Sequence, residues 1–126
     1  MKTALLLMAH GSSQREANDD LHFVAAELRQ RGGFDVVEAS FLELAEPSIA
    51  EGAASCVRQG AERIVMLPYF LSAGVHVRQD LTRFQSELAV RFPTVEFRLA
   101  EPLGRHPGLL DVVAARAQEA LGEPGA

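Results

Sequence analysis

The feature that most constrains this chain is an alternation of short, strand-like apolar-rich runs with longer stretches of helical spacing. Runs of the first kind lie at Thr3–Ala9, Phe34–Phe41, Arg63–Leu67 and Val95–Leu99. A strand covered on both faces meets water on neither, so it reads as a continuous apolar segment rather than an alternating one. Between these runs, Gln14–Arg31, Pro47–Gln59, Val77–Phe92 and Pro107–Leu121 read as helices. The punctuation agrees. Ser12 or Ser13 stands where a side-chain oxygen caps the first helix, and Gly32 with Gly33 stops it. Pro47 falls at the expected first position of the second helix, with Gly60 just past its end, and Pro107 opens the fourth.

The resulting order, βαβαβαβα, predicts an α/β fold with helices on both faces of a parallel sheet. Right-handed crossovers leave few arrangements, and the simplest is a doubly wound, four-stranded sheet of order 2-1-3-4. A chain of 126 residues has room for one core and not two. Residues 1–122 are therefore expected to form a single domain, with 123–126 a frayed tail.

Composition excludes several classes. The longest apolar run, Ala4–Ala9, is far below the ~20 residues that span a bilayer, and it meets a polar stretch without a cleavage pattern. No membrane partner is expected. The net charge is −5 and no Lys/Arg cluster is present, which argues against nucleic acid. The lone Cys56, in an alanine-rich helical stretch, rules out an internal disulfide and reads as a buried, inert thiol in a reducing cytoplasm.

Ligands in such sheets bind beyond the carboxyl ends of the strands, where the strand order reverses. His10 directly follows the first strand, Glu43 follows the second, and His76 follows the third after a loop from Pro68 to Val75. Three possible metal ligands thus share one rim, and the two histidines flank the switch point. Each also has a structural reading: a hydrogen-bonded loop histidine or a solvated carboxylate. His22 falls inside a helix and reads as structural or exposed, and His106 before Pro107 stands where it caps or orients the last helix. Asp80, one turn after His76, either orients that imidazole or favours the helix N-terminus. Two imidazoles and a carboxylate suit Fe, Co, Ni or Zn without choosing among them. The loop His10-Gly11-Ser12-Ser13 lacks the flanking pattern of a serine-hydrolase elbow, a phosphate-binding P-loop or a histidine phosphatase. Helix N-terminal amides there remain able to hold an anion.

At this point the motifs resemble a known family, the short CbiX-type sirohydrochlorin chelatases among the class II tetrapyrrole chelatases. The likeness runs through Leu5-Leu6-Leu7-Met8-Ala9-His10-Gly11-Ser12, then Phe41-Leu42-Glu43 and Pro47-Ser48-Ile49. Its most specific stretch is Pro68-Tyr69-Phe70-Leu71-Ser72-Ala73-Gly74-Val75-His76-Val77-Arg78-Gln79-Asp80, and it closes with Pro102-Leu103-Gly104-Arg105-His106-Pro107. Two positions depart from the family pattern: Ser13-Gln14 delay the arginine to Arg15, and Leu81-Thr82 follow the aspartate.

The resemblance implies a lyase that inserts Co2+, Fe2+ or Ni2+ into a sirohydrochlorin-type tetrapyrrole for cobalamin or sirohaem synthesis. The metal is then a substrate and no cofactor is permanently bound. Carried over position by position, His10, Glu43 and His76 become the catalytic, metal-holding residues, with Asp80 behind them. Ser12, Ser13, Arg15, Phe70, Leu71, Ser72, Ala73, Gly74, Arg78 and Arg105 become substrate contacts, the arginines pairing with peripheral carboxylates. A histidine is suited to both tasks, since it ligates metals and moves protons near neutral pH. Longer relatives with two such domains imply a homodimer here. The rival expectation is a non-catalytic carrier of metal or tetrapyrrole on the same fold.

Overall fold

The four apolar runs pair side by side, all parallel, in a sheet of order β2-β1-β3-β4. In the computed structural model, which describes residues 1–122, the elements are β1 (Thr3–Ala9), α1 (Arg15–Arg31), β2 (Val36–Phe41), α2 (Ile49–Arg58), β3 (Arg63–Pro68), α3 (Val75–Arg91), β4 (Glu96–Leu99) and α4 (Pro107–Leu121). The expected doubly wound architecture is therefore the observed one. The expected tail at 123–126 lies outside the described residues.

β1 is the hub because both of its faces are apolar, and Ala4 through Met8 are all buried. On one face Leu6, Met8, Ile64, Met66 and Phe97 pack under α2 and α3 through Ala53, Cys56, Leu81 and Leu88. On the other, Leu5, Leu7, Val37, Ala39 and Phe41 pack under α1 through Leu21 and Ala25. The one buried polar residue of this core, Ser40, is satisfied because its hydroxyl donates to the Leu7 carbonyl at 2.8 Å.

Element boundaries differ from the sequence reading where side chains compete for the backbone. β2 begins at Val36 rather than Phe34, since Asp35 is stitched to Thr3 outside the ladder, its carboxylate accepting from the Thr3 amide at 2.8 Å. Neither Ser12 nor Ser13 caps α1; its N-cap is Gln14, whose amide donates to the Ser12 hydroxyl at 3.0 Å. Pro47 is not the first residue of α2. It sits before the true N-cap, Ser48, which forms a reciprocal capping box with Glu51. The backbone hydrogen bond from Ser48 holds the Glu51 carboxyl below its ordinary range. Loss of the hydroxyl in Ser48→Ala is expected to cost about 1 kcal/mol. Thermal unfolding should then fall by roughly 4 °C, which differential scanning calorimetry measures.

Cys56 is fully buried, and burial, reinforced by the Glu38 carboxylate, pushes its thiol up to about 12 from 9.0. Below pH 9 the thiol is protonated in both folded and unfolded chains and contributes no pH dependence. Between pH 9 and about 12 the unfolded chain ionises first, so stability falls as pH rises through that window. At pH 8 the folded thiol should react with a disulfide reagent at least ~10²-fold more slowly than in urea, because the thiolate is the nucleophile. Fast native-state labelling would contradict this placement.

Among the described residues no helix is long and apolar enough to cross a membrane. α4 stands apart from the other helices: none of its residues is buried.

Candidate functional site

The site grows from the carboxyl end of β1, where Ala9 pairs with Phe41 at the end of β2. The β1–β2 pairing continues past both strands, the Leu42 amide donating to the Ala9 carbonyl at 2.9 Å and the Glu43 amide to the His10 carbonyl at 3.0 Å. This sets the loop carrying His10 directly against the one carrying Glu43. The approach is close enough that a Cβ at Gly11, where φ is +92°, would run into the Glu43 carbonyl oxygen. On the β3 side the Tyr69 amide donates to Met8 at 2.7 Å, which brings Phe70 over the end of β1.

Phe70 then stacks on the His10 imidazole, with ring centroids 4.4 Å apart and planes 22° from parallel. At 8% exposure, Phe70 belongs to the core beneath α2 and α3. In the chain on its own, the ring bears on His10. Aromatic stacking of this kind contributes about 0.5–1.5 kcal/mol beyond area burial, enough to favour one ring orientation. His10 itself remains exposed.

The Ser12 segment is fixed by a residue that sequence reasoning passed over. The Asn18 side chain accepts from the Ser12 amide at 2.9 Å and donates to the Ser12 carbonyl at 2.8 Å. Asparagine is a poor helix-interior residue because its amide competes for backbone groups, and that was the available signal. Ser12, Asn18, His10, Gly11 and Tyr69 line a cavity of about 260 Å³ beside the end of β1. Ser13 and Arg15 are exposed at the start of α1.

A second cavity, of about 490 Å³, is lined by Leu71, Ser72, Arg78, Glu101, Gly104 and Arg105. Four of the expected substrate contacts, Leu71, Ser72, Arg78 and Arg105, thus share one depression. Arg78 is tied there, its guanidinium donating to the Ala73 carbonyl at 3.2 Å and lying 3.4 Å from a Glu101 oxygen. An exposed pair of this type is worth little and exchanges readily for another carboxylate. Ala73 packs against the core, and Gly74 is the N-cap of α3, with open space where a Cβ would be.

The histidine of the third motif is placed differently from the sequence reading. α3 begins at Val75, so His76 lies in its first turn, exposed, rather than in the preceding loop. A glycine N-cap offers no side-chain signal, which is why the early start was not legible. The Asp80 carboxylate, one turn on, accepts from Arg83 at 3.2 Å. Among the described residues, no three His, Cys, Asp or Glu side chains stand close enough to share a metal ion. The free chain therefore brings His10 and Glu43 loops together but holds no preformed three-ligand cluster with His76. His106 caps α4, its Nδ1 accepting from the Gly108 amide at 3.0 Å. His22 is exposed on α1, with its ring meeting Phe41 edge-on.

Comparison with known proteins adds an independent line. A family model described as CbiX matches residues 4–120. The chain is 38% identical over 117 residues to a chloroplastic sirohydrochlorin ferrochelatase of Arabidopsis thaliana, covering 93% of this chain and 52% of that protein. It is 34% identical over 119 residues to a sirohydrochlorin cobaltochelatase of Priestia megaterium, covering 94% of this chain and 39% of that one. The chain thus spans about half or less of the length of these curated relatives. The fold superposes with a TM-score of 0.84, at 30% identity, on the crystal structure of a cobalamin biosynthesis CbiX protein from Marinobacter aquaeolei, covering 95% of this chain and 98% of that one.

Proposed function

The chain belongs to the CbiX family, and from that membership we propose that it inserts a divalent metal, Co2+ or Fe2+, into sirohydrochlorin. The observation that carries this reading is the His10 imidazole, exposed at the β1–β3 switch point and held by the Phe70 stack beside the Glu43 loop. Metal insertion requires that water be stripped from the ion and that two pyrrole protons leave. A fixed neutral imidazole serves either step, as a transient ligand or as the proton acceptor.

His76 shares the work, one histidine holding the ion while the other takes protons, and Glu43 acts as third ligand or proton exit. An open, incomplete donor set suits this chemistry, because the ion must be released to the macrocycle rather than kept. Arg78 and Arg105, lining one cavity, pair with peripheral carboxylates, and the exposed Arg15 and Ser13 meet the same ligand from the α1 side. The chain works in the cytoplasm as a homodimer.

A steady-state assay with sirohydrochlorin and Co2+ in large excess over protein tests the reading. Many turnovers per chain are expected, followed as the change in the macrocycle's absorption. Uptake that stops at one equivalent per chain would replace the enzyme with a carrier of metal or tetrapyrrole.

A further inference from the structure

Asn18 stands near the start of α1, yet its side chain serves a residue outside that helix. The carboxamide oxygen accepts from the Ser12 amide at 2.9 Å, and the carboxamide nitrogen donates to the Ser12 carbonyl at 2.8 Å. A primary amide carries both halves of this grip on one planar head, whereas a carboxylate lacks the donor. The helix itself has no use for asparagine, since alanine is the better helix former. Nor does Asn18 relieve a cap, because the N-cap of α1 is Gln14.

Ser12 depends on this grip. Among the described residues no backbone group pairs with the half-buried Ser12, so both of its main-chain partners come from Asn18. Only Gly11 separates Ser12 from His10. On the β2 side the Glu43 amide holds the His10 carbonyl at 3.0 Å, and on the α1 side Asn18 holds the Ser12 amide. Both peptide planes flanking Gly11 are therefore pinned. Glycine ranges widely in φ, and pinning its two neighbours selects the +92° found here. His10, Gly11, Ser12 and Asn18 also line one cavity of about 260 Å³, so a released loop has room to move.

We propose that Asn18 is a positioning residue for metal insertion: through Ser12 and Gly11 it holds the His10 imidazole in its stack on Phe70. The proposal rests on the chelatase reading and adds the restraint that acts on His10 from α1. The stack, with ring centroids 4.4 Å apart, supplies a direct report on that restraint. Protons held over an aromatic face resonate upfield, so the ring protons of His10 read its orientation without any reaction.

These resonances are assigned by their loss in His10→Gln, and Phe70→Leu gives their unstacked positions. At fixed pH, Asn18→Ala should move them toward the unstacked positions. The His22 ring, set by its edge-on contact with Phe41, should keep its own shifts and so show that the fold is intact. Single-turnover insertion of Co2+ into sirohydrochlorin should slow roughly 10-fold, part of the ~10²-fold that a displacement of about 1 Å costs. The macrocycle concentration giving half the maximal rate should not change. Asn18→Asp keeps the acceptor for the Ser12 amide without the donor, and it should fall between wild type and Asn18→Ala in both measurements. It also carries the test if Asn18→Ala does not fold. His10 resonances that stay at their stacked positions, or insertion as fast as in the wild type, would overturn the proposal. A wild type that inserts no metal would remove the chelatase reading instead, while a shifted His10 resonance would still establish the clamp.

Discussion

Replacing His10 with alanine is expected to lower cobalt insertion into sirohydrochlorin at least ~10²-fold, the lower end of what a positioned acid or base supplies. The side chain is exposed and lies beyond the last residue of β1, so the fold should survive its removal. Single-turnover rates on folded protein are the appropriate measurement, because they separate insertion from product release. Two companion variants sharpen the outcome. His76→Ala should fall by a similar factor, and near-wild-type turnover there would remove His76 from the proposal while leaving His10. Phe70→Leu keeps apolar volume but abolishes the stack at 4.4 Å, and it should give an intermediate loss carried mainly by the rate of insertion. A Phe70→Leu enzyme as fast as the wild type would mean that the stack only fills space. A His10→Ala enzyme with unchanged turnover would sink the assignment.

The sequence exposed most where burial is uniform. Thr3–Ala9 was readable to the residue because both faces of β1 are covered, so every position from Ala4 to Met8 is apolar and buried. Sheet order followed from the handedness of crossovers and did not depend on side-chain detail. Legibility declined where side chains capture backbone groups: Asp35 takes the Thr3 amide, Asn18 takes Ser12, and Ser48 rather than Pro47 starts α2. Propensity patterns do not reveal which of several polar residues wins such a competition.

The site divided along the same line. The loops of His10 and Glu43 were predictable neighbours, since both extend adjacent strands in register. The start of α3 was set two residues late, past His76, because a glycine N-cap carries no side-chain signal. The Phe70–His10 stack was hidden because an aromatic in an apolar loop reads equally as ligand platform or core. α4 was readable as a helix, but whether a helix finds a surface within its own chain is a tertiary question.

Gly11→Ala is expected to produce the second large effect, through the backbone rather than through a reacting group. Two penalties coincide at this position. The φ of +92° is unfavourable for any residue with a Cβ, and that Cβ would overlap the Glu43 carbonyl oxygen, which is backbone and cannot swing aside. Together the strain and overlap should destabilise the chain by about 2–4 kcal/mol, with melting lowered by roughly 10 °C. Relief requires the His10–Gly11 and Leu42–Glu43 segments to part, which breaks the 3.0 Å bond from the Glu43 amide to the His10 carbonyl. Because a displacement of about 1 Å at a reacting group costs on the order of 10²-fold, insertion should fall nearly as far as in His10→Ala even well below the melting temperature. Gly33→Ala is the control, with φ at +100° but open space around the added carbon. It should lose only about 1 kcal/mol and no activity. If Gly11→Ala melted like Gly33→Ala and turned over normally, the close approach of the two loops would have no part in holding His10 in place.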